Sequence, residues 1–240
     1  MSYDHKTAYH YAAYRPPLHQ YILAIALGRV PKYKKALDIG CGTGVSSEAL
    51  LPYAQIIEGL DPSSEMIQKA KEHPNISYQV GDSQQMPFSD QSFDLITMAG
   101  SLHYAKSQAL IEEISRLSHS GAVCLIYDFE VVLWPFLNTL GINKAALSEN
   151  RAYNHSIDWS GLDLQDWNLK QKYQNQLFLE LDEEKLAHLV LADQEMYAAT
   201  SEICETDDPF LGFIKKLKQI YSEETHEIPT NIFYTLYEQN

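Results

Sequence analysis

The sequence predicts an α/β protein built on a doubly wound, mostly parallel sheet. Three observations point there. A short apolar run, Ala36, Leu37 and Ile39, has no helical period and suits a strand buried on both faces. Glycines at every second position, Gly40, Gly42 and Gly44, follow it and lead into an apolar-faced helix from Val45 to Leu51. Further strand and helix patterns then alternate as far as Asp128, an order that gives a parallel sheet with crossover helices.

The elements are expected in this order. Pro16 and Pro17 open a helix running from Leu18 to about Gly28, since proline is tolerated in a first turn. Residues 36–39 form the first strand and residues 55–61 the second, with Asp61 at its end. Pro62 follows, and a helix from Ser63 to Glu72 begins at once, so Asp61 is also a candidate helix cap. The third strand, Ile76–Val80, is bounded by Pro74-Asn75 and Gly81-Asp82. Ser92–Gly100 is the fourth strand and its exit, and Ala122–Asp128 is the fifth. Between them a helix over Ser107–Ser118 carries Ala109, Leu110, Ile114 and Leu117 on one side.

From about Val131 to Lys172 the pattern breaks down and no strand is obvious. All three tryptophans, Trp134, Trp159 and Trp167, lie in this stretch, either roofing a pocket or anchoring the stretch to the domain. Arg151 there is a candidate partner for an acidic substrate. Residues 176–181 alternate as a sixth strand. Asp182 caps a helix to about Glu195, a further helix covers roughly 209–221, and Thr230–Tyr237 is a last strand.

The chain has 240 residues, room for one domain and a sub-domain insert, and 45% of them are hydrophobic, enough for a sizeable core. With 18 basic and 32 acidic residues the net charge is −14, which disfavours a large nucleic-acid partner. Lys32, Lys34 and Lys35 read as a solvated loop rather than a patch. Three scattered cysteines support neither a disulfide framework nor a zinc site, and Cys41 reads as a small residue within the turn. No apolar leader and no membrane-length apolar run are evident, so a cytoplasmic setting without membrane attachment is expected, as monomer or homodimer.

The glycine turn begins like a nucleotide-binding βαβ unit. A dinucleotide fingerprint needs a third glycine where Val45 stands, which argues against a nicotinamide dehydrogenase. The motif Asp38-Ile39-Gly40-Cys41-Gly42-Thr43-Gly44, with Asp61 about 20 residues further on and the phrase Gly81–Phe88, resembles the class I S-adenosylmethionine-dependent methyltransferases. The phrase Tyr11-Ala12-Ala13-Tyr14-Arg15-Pro16 resembles a segment of the trans-aconitate methyltransferase-like members. The resemblance implies a Rossmann-like sheet of seven strands, its last strand antiparallel between the fifth and sixth, with a helical insert after the fifth. It divides the chain into an N-terminal lid and helix (1–30), a cofactor core (31–130), a substrate-capping insert (131–175) and closing strands and helices (176–240).

It also implies roles. The cofactor would be S-adenosyl-L-methionine. Gly40, Gly42 and Gly44 give its methionine portion room, and Asp38 meets the ammonium directly or through water. Asp61 holds the ribose hydroxyls, with Pro62 beside it. Asp82 and the Ser83 amide hold the adenine, flanked by Met86 and Phe88, unless Phe88 has a plain core role. Asp82 alternatively serves as a turn residue. Ala99 lies at the exit of the fourth strand, and Tyr14 or Tyr11 sits against the sulfonium. Asp94 is structural. The implied activity is methylation of a small molecule. For a carboxylic acid acceptor Arg15 is the cationic partner; for a phenol, hydroxyl or amine His103 is the base, unless it is a structural histidine. No metal is implied. A non-catalytic binder of the same cofactor is the competing class.

Overall fold

A computed structural model describes residues 5–28, 33–142, 153–204 and 208–240; Arg151 and Lys32 lie outside these. The chain forms two compact units. The larger comprises residues 17–129, 153–175 and 232–240, and the smaller comprises residues 1–16, 130–152 and 176–231.

The strands form a seven-stranded sheet in the order β3-β2-β1-β4-β5-β7-β6. Its strands are β1 (Tyr33–Ile39), β2 (Ala54–Asp61), β3 (Ile76–Val80), β4 (Phe93–Ala99), β5 (Ser118–Val131), β6 (Trp167–Asp182) and β7 (Thr225–Gln239). The pairs β1–β2, β2–β3, β1–β4 and β4–β5 are parallel, and the last strand is antiparallel. In β1, Ala36, Leu37, Asp38 and Ile39 are all buried, which is why this strand reads as a continuous apolar run. The strand order reverses between β1 and β4. That switch point opens a crevice at the carboxyl ends of the strands.

Helices α2 (Leu18–Leu27), α3 (Val45–Ala49), α4 (Ser64–Ile67), α5 (Leu102–Ala105) and α6 (Gln108–Leu117) belong to the larger unit. The apolar stripe of α6 is buried through Leu110, Ile111, Ile114 and Leu117. Ser107 caps it by accepting the Leu110 N–H at 3.2 Å. Asp94 accepts the Lys35 amide at 3.0 Å and so ties β4 to β1, a structural role. Trp159 and Trp167 are buried in the core beneath this sheet. Trp159 stacks on Tyr237 with centroids 4.4 Å apart, and Trp167 Nε1 donates to Ser115 Oγ at 2.9 Å. These two tryptophans therefore anchor the irregular stretch.

The smaller unit contains α1 (His5–Ala13), α7 (Trp134–Thr139), α8 (Glu183–Leu191), α9 (Gln194–Cys204) and α10 (Pro209–Ile220). They surround Leu137, Leu186, Val190, Phe213, Leu217 and Ile228. Asp182 caps α8 by accepting the Lys185 N–H at 2.8 Å. Helix α1 meets α8 through a histidine pair, His10 Nδ1 and His188 Nδ1 at 2.9 Å, with Phe210 stacked on His10.

Burial lowers the pKa of both histidines. The neighbouring His188 lowers His10 further, while Asp208 and Glu184 oppose the shift at His10 and His188 respectively. Burial lowers His226 of the same unit too. A histidine held below 6.5 in the fold binds fewer protons than in the unfolded chain. Its contribution is therefore complete above about pH 6.5 and is lost as pH falls through the lowered value. Urea unfolding is expected to show stability falling from about pH 7 to about pH 5, less steeply in His10→Phe. A flat profile would contradict this.

Four expectations need correction. The helix over 63–72 is a single turn, α4, and its cap is Ser63, which accepts the Met66 N–H at 3.3 Å, so Asp61 is not the cap. The helix from 183 ends at Leu191, and α9 follows it. Strand β6 begins at Trp167, inside the stretch expected to lack strands. It is an edge strand, mostly exposed and polar from Asn168 to Gln176, so no alternation marks it. Strands β5 and β7 are also longer than expected, by residues at both ends.

Candidate active site

The turn after β1 is built from three glycines with positive φ: +74° at Gly40, +54° at Gly42 and +83° at Gly44. Their roles divide. A Cβ on Gly40 would lie 2.3 Å from Ser101 Cβ, and one on Gly44 would lie 2.2 Å from Tyr78 Oη. At Gly42 a Cβ would meet nothing within 4 Å. Gly40 and Gly44 thus let protein pack against the turn, and Gly42 alone presents bare backbone to open space.

Two aspartates brace this turn and its flanks. Asp38 is fully buried, and its oxygens accept from Ser46 Oγ at 2.6 Å, Ser47 Oγ at 2.7 Å and Thr97 Oγ1 at 3.0 Å. Burial raises its pKa, and the three hydroxyls and the nearby Asp61 act in opposite directions upon it. Asp38 therefore ties α3 and β4 to the strand end and shows no open oxygen to solvent. Asp61 is 9 % exposed. Its Oδ2 accepts the Gly42 N–H at 2.9 Å, and its Oδ1 accepts the Ser63 N–H at 2.9 Å. A carboxylate has about four lone-pair sites, so it keeps capacity for further donors. Cys41 is buried in the same turn. Burial, with Asp38 and Asp61 near, pushes its thiol far up, so it is no nucleophile.

The other expected residues fall in three groups. Pro62 is exposed at the end of β2, and Ala99 is half-buried at the end of β4. Asp82 is exposed just past β3, where its Oδ1 accepts the Gln84 N–H at 2.8 Å, an Asx turn; Ser83 beside it is half-buried. These residues share the carboxyl edge of the sheet with the glycine turn. Met86 is different: it lies in the core with its amide on Glu113 Oε2 at 2.9 Å, so it does not flank a ligand. Phe88 packs edge-on against Phe93 beside that core. Tyr14 and Arg15 belong to the smaller unit. Tyr14 packs on that unit's core, and the Arg15 guanidinium lies over the Tyr11 ring at 3.9 Å.

A second polar cluster lies beside the carboxyl end of β4 and around Asp128 in the later part of β5. Asp128 Oδ2 lies 3.1 Å from His155 Nδ1 and accepts from Tyr153 Oη at 2.8 Å, while its Oδ1 accepts the Phe129 N–H at 2.7 Å. Tyr153 Oη is also 2.6 Å from the Gly100 carbonyl. Gly100 has φ +68°, and a Cβ there would approach Asp128 Oδ1 to 3.3 Å. His103, on α5, stacks against Tyr153 with centroids 4.6 Å apart. The cluster borders a cleft whose walls include Leu102, Tyr127, Lys172, Tyr173 and Phe233. Gly100 joins it to the glycine turn, because the next residue, Ser101, packs on Gly40 and donates to the Ile39 carbonyl.

Sequence reasoning found His103 but not Asp128, Tyr153 or His155. Asp128 read only as a strand end, although an acid at a carboxyl end is well placed for ligands. Tyr153 and His155 lie in the stretch without a period, which offers no local signal. Among the described residues no group of His, Cys, Asp and Glu could hold a metal ion, and no helix is long and apolar enough to cross a membrane.

Comparison with known proteins agrees with this architecture. Residues 37–126 match a family described as "Methyltransferase domain". The chain is 31% identical over 157 residues to the uncharacterized methyltransferase YcgJ of Bacillus subtilis, covering 58% of this chain and 62% of that protein. It is 38% identical over 96 residues to a ubiquinone biosynthesis O-methyltransferase of Coxiella burnetii, covering 38% of this chain and 41% of that protein. The chain thus spans less than two thirds of the length of these curated relatives. Among solved structures, a protein from Anaeromyxobacter dehalogenans superposes with a TM-score of 0.65 at 17% identity, covering 95% of this chain and 98% of the other. The YcgJ structure gives 0.52 at 18% identity, with 93% and 99% covered. These structural likenesses show the fold, and the family match falls on the strands and turn that build the site. Residues 37–126, which carry the glycine turn and Asp61, are therefore similar to a methyltransferase domain.

Proposed function

We propose that this protein is an S-adenosylmethionine-dependent methyltransferase that methylates an oxygen of a small molecule. The observation that carries this reading is the turn at Gly42, with open space above its backbone and its amide fixed by the nearly buried Asp61. These residues fit the donor: bare backbone for its methionine portion, and a carboxylate with spare lone pairs for two ribose hydroxyls. When bound, the donor supplies an electrophilic methyl group and takes up the electron pair of the breaking carbon–sulfur bond.

The chain's own residues hold and shield. Asp61 accepts the hydroxyls; a hydrogen bond to a charged group contributes about 1.5–3 kcal/mol. Pro62, Asp82, the Ser83 amide and Ala99 line the rest of the crevice. Asp38 acts through the turn, because its oxygens are taken by Ser46, Ser47 and Thr97. Holding acceptor and methyl carbon in line supplies about 7–11 kcal/mol, so positioning does most of the work.

The acceptor class follows from charge. A carboxylic acid acceptor needs a cationic partner. In the larger unit the lysine of the cleft, Lys172, is already bonded to Asp158 at 2.7 Å, and the Asp128 carboxylate repels a second anion. A neutral hydroxyl suits these surroundings better than Arg15 and a carboxylic acid. The Coxiella burnetii relative is by its name an O-methyltransferase, which supports oxygen as the accepting atom. Incubation with methyl-labelled donor and a metabolite extract is expected to label a small molecule. Binding of S-adenosylhomocysteine without any labelled product would instead mark a non-catalytic binder.

A further inference from the structure

The geometry assigns His155, held by Asp128 and Tyr153, as the base that takes the proton from the acceptor's hydroxyl. This rests on the methyl-transfer reading above and deepens it: the acceptor is a neutral phenol or alcohol bound in the cleft beside Gly100.

A neutral hydroxyl is a poor nucleophile, and a positioned base contributes about 10²–10⁴-fold in rate. Such a base needs a ring at the substrate cleft and a third group that orients it. His155 has both. Its ring lines the cleft and is 30% exposed, and its Nδ1 lies 3.1 Å from Asp128 Oδ2. A hydrogen on Nδ1 donated to Asp128 places the ring's lone pair on Nε2.

Asp128 is itself fixed. The Phe129 amide holds one oxygen and the Tyr153 hydroxyl reaches the other. Burial and the Asp128 charge push the Tyr153 phenol far above its ordinary range, so it stays protonated and serves as donor. Gly100 leaves the room these groups occupy. His103, by contrast, has no carboxylate in contact among the described residues. Its Nδ1 is buried without a hydrogen-bond partner, and its ring packs against Tyr153.

The step balances simply. The acceptor O–H bond breaks, an N–H bond forms on His155 Nε2, and the electron pair stays on oxygen to form the bond to carbon. Asp128 stabilises the imidazolium, which then returns its proton to water. The titratable groups lining the cleft with His155 are Tyr127, Asp128, Lys172, Tyr173 and Tyr234, and Tyr153 contacts the His155 ring. Asp128 is in direct contact, and Lys172 is offset by Asp158.

The test uses the full chain, S-adenosylhomocysteine, and methyl-labelled donor with catechol, phenol and an aliphatic diol as acceptors. His155→Gln is expected to bind S-adenosylhomocysteine within about twofold of wild type and to lose roughly 10²–10⁴-fold in kcat. Asp128→Asn tests positioning: the acid limb of the pH–rate profile, and the His155 titration followed by ¹³C-histidine NMR, should both move down. The NMR titration needs no turnover, and His155→Asn serves if the glutamine variant is unstable. Wild-type kcat in His155→Gln, an unmoved His155 titration in Asp128→Asn, or no transfer to any of these hydroxyls by a wild type that binds S-adenosylhomocysteine would each overturn the assignment. Failure of wild type to bind S-adenosylhomocysteine would overturn the underlying reading instead.

Discussion

Gly40→Ala is expected to remove measurable S-adenosylhomocysteine binding and to lower the melting temperature clearly. The new Cβ would sit 2.3 Å from Ser101 Cβ and 2.9 Å from its Oγ, so backbone must move. An alanine at φ +74° adds about 1–2 kcal/mol of left-handed strain. Ser101 bonds to the Ile39 carbonyl and precedes α5, so the disturbance reaches both sides of the crevice. Adding Ser101→Gly should recover stability in part, since it relieves the clash but not the strain. Gly42→Ala is the contrasting case. Its Cβ meets no protein atom within 4 Å, so stability should fall by only about 1–2 kcal/mol while affinity is lost. Equal affinity in Gly42→Ala and wild type, by calorimetry, would mean that nothing approaches the turn there.

Asp61→Ala is expected to weaken S-adenosylhomocysteine binding by about ten- to a hundredfold, the equivalent of about 1.5–3 kcal/mol. Two effects combine. The ligand's hydroxyls lose a charged acceptor, and the Gly42 and Ser63 amides lose theirs, so the turn and the entry to α4 loosen together. Asp61→Asn should not rescue fully. One amide oxygen can serve Ser63, but the NH₂ group then faces the Gly42 N–H, donor against donor. An unchanged dissociation constant in both variants would remove Asp61 from the site.

The parallel half of the fold was legible because it is local. Buried β1 shows as an apolar run, α6 as a 3.6-residue stripe, and the glycine turn as a motif whose φ values only glycine adopts readily. What could not be read was set by distant partners. Strand β6 is an edge strand whose polar outer residues carry no alternation. The short α4 has the charge and cap of a longer helix, but it buries none of its residues and so nothing extends it.

The site divides in the same way. Gly40, Gly42, Gly44 and Asp61 stand in one motif and its known spacing, while the split between packing glycines and the open Gly42 depends on Ser101 and Tyr78, far along the chain. Asp38 reads as a ligand-facing acid, yet Ser46, Ser47 and Thr97 claim its oxygens, and no periodicity reveals that. The Asp128–Tyr153–His155 cluster is assembled from a strand end and an irregular segment, so only the three-dimensional fold unites it.

The most direct test of the account is an amide ¹H–¹⁵N NMR titration of the whole chain with S-adenosylhomocysteine. Saturable shifts should concentrate at Gly42, Asp61, Ser63 and Gly100, around the switch point between β1 and β4. Saturation with those four amides unmoved, or no shift at millimolar ligand, would contradict it.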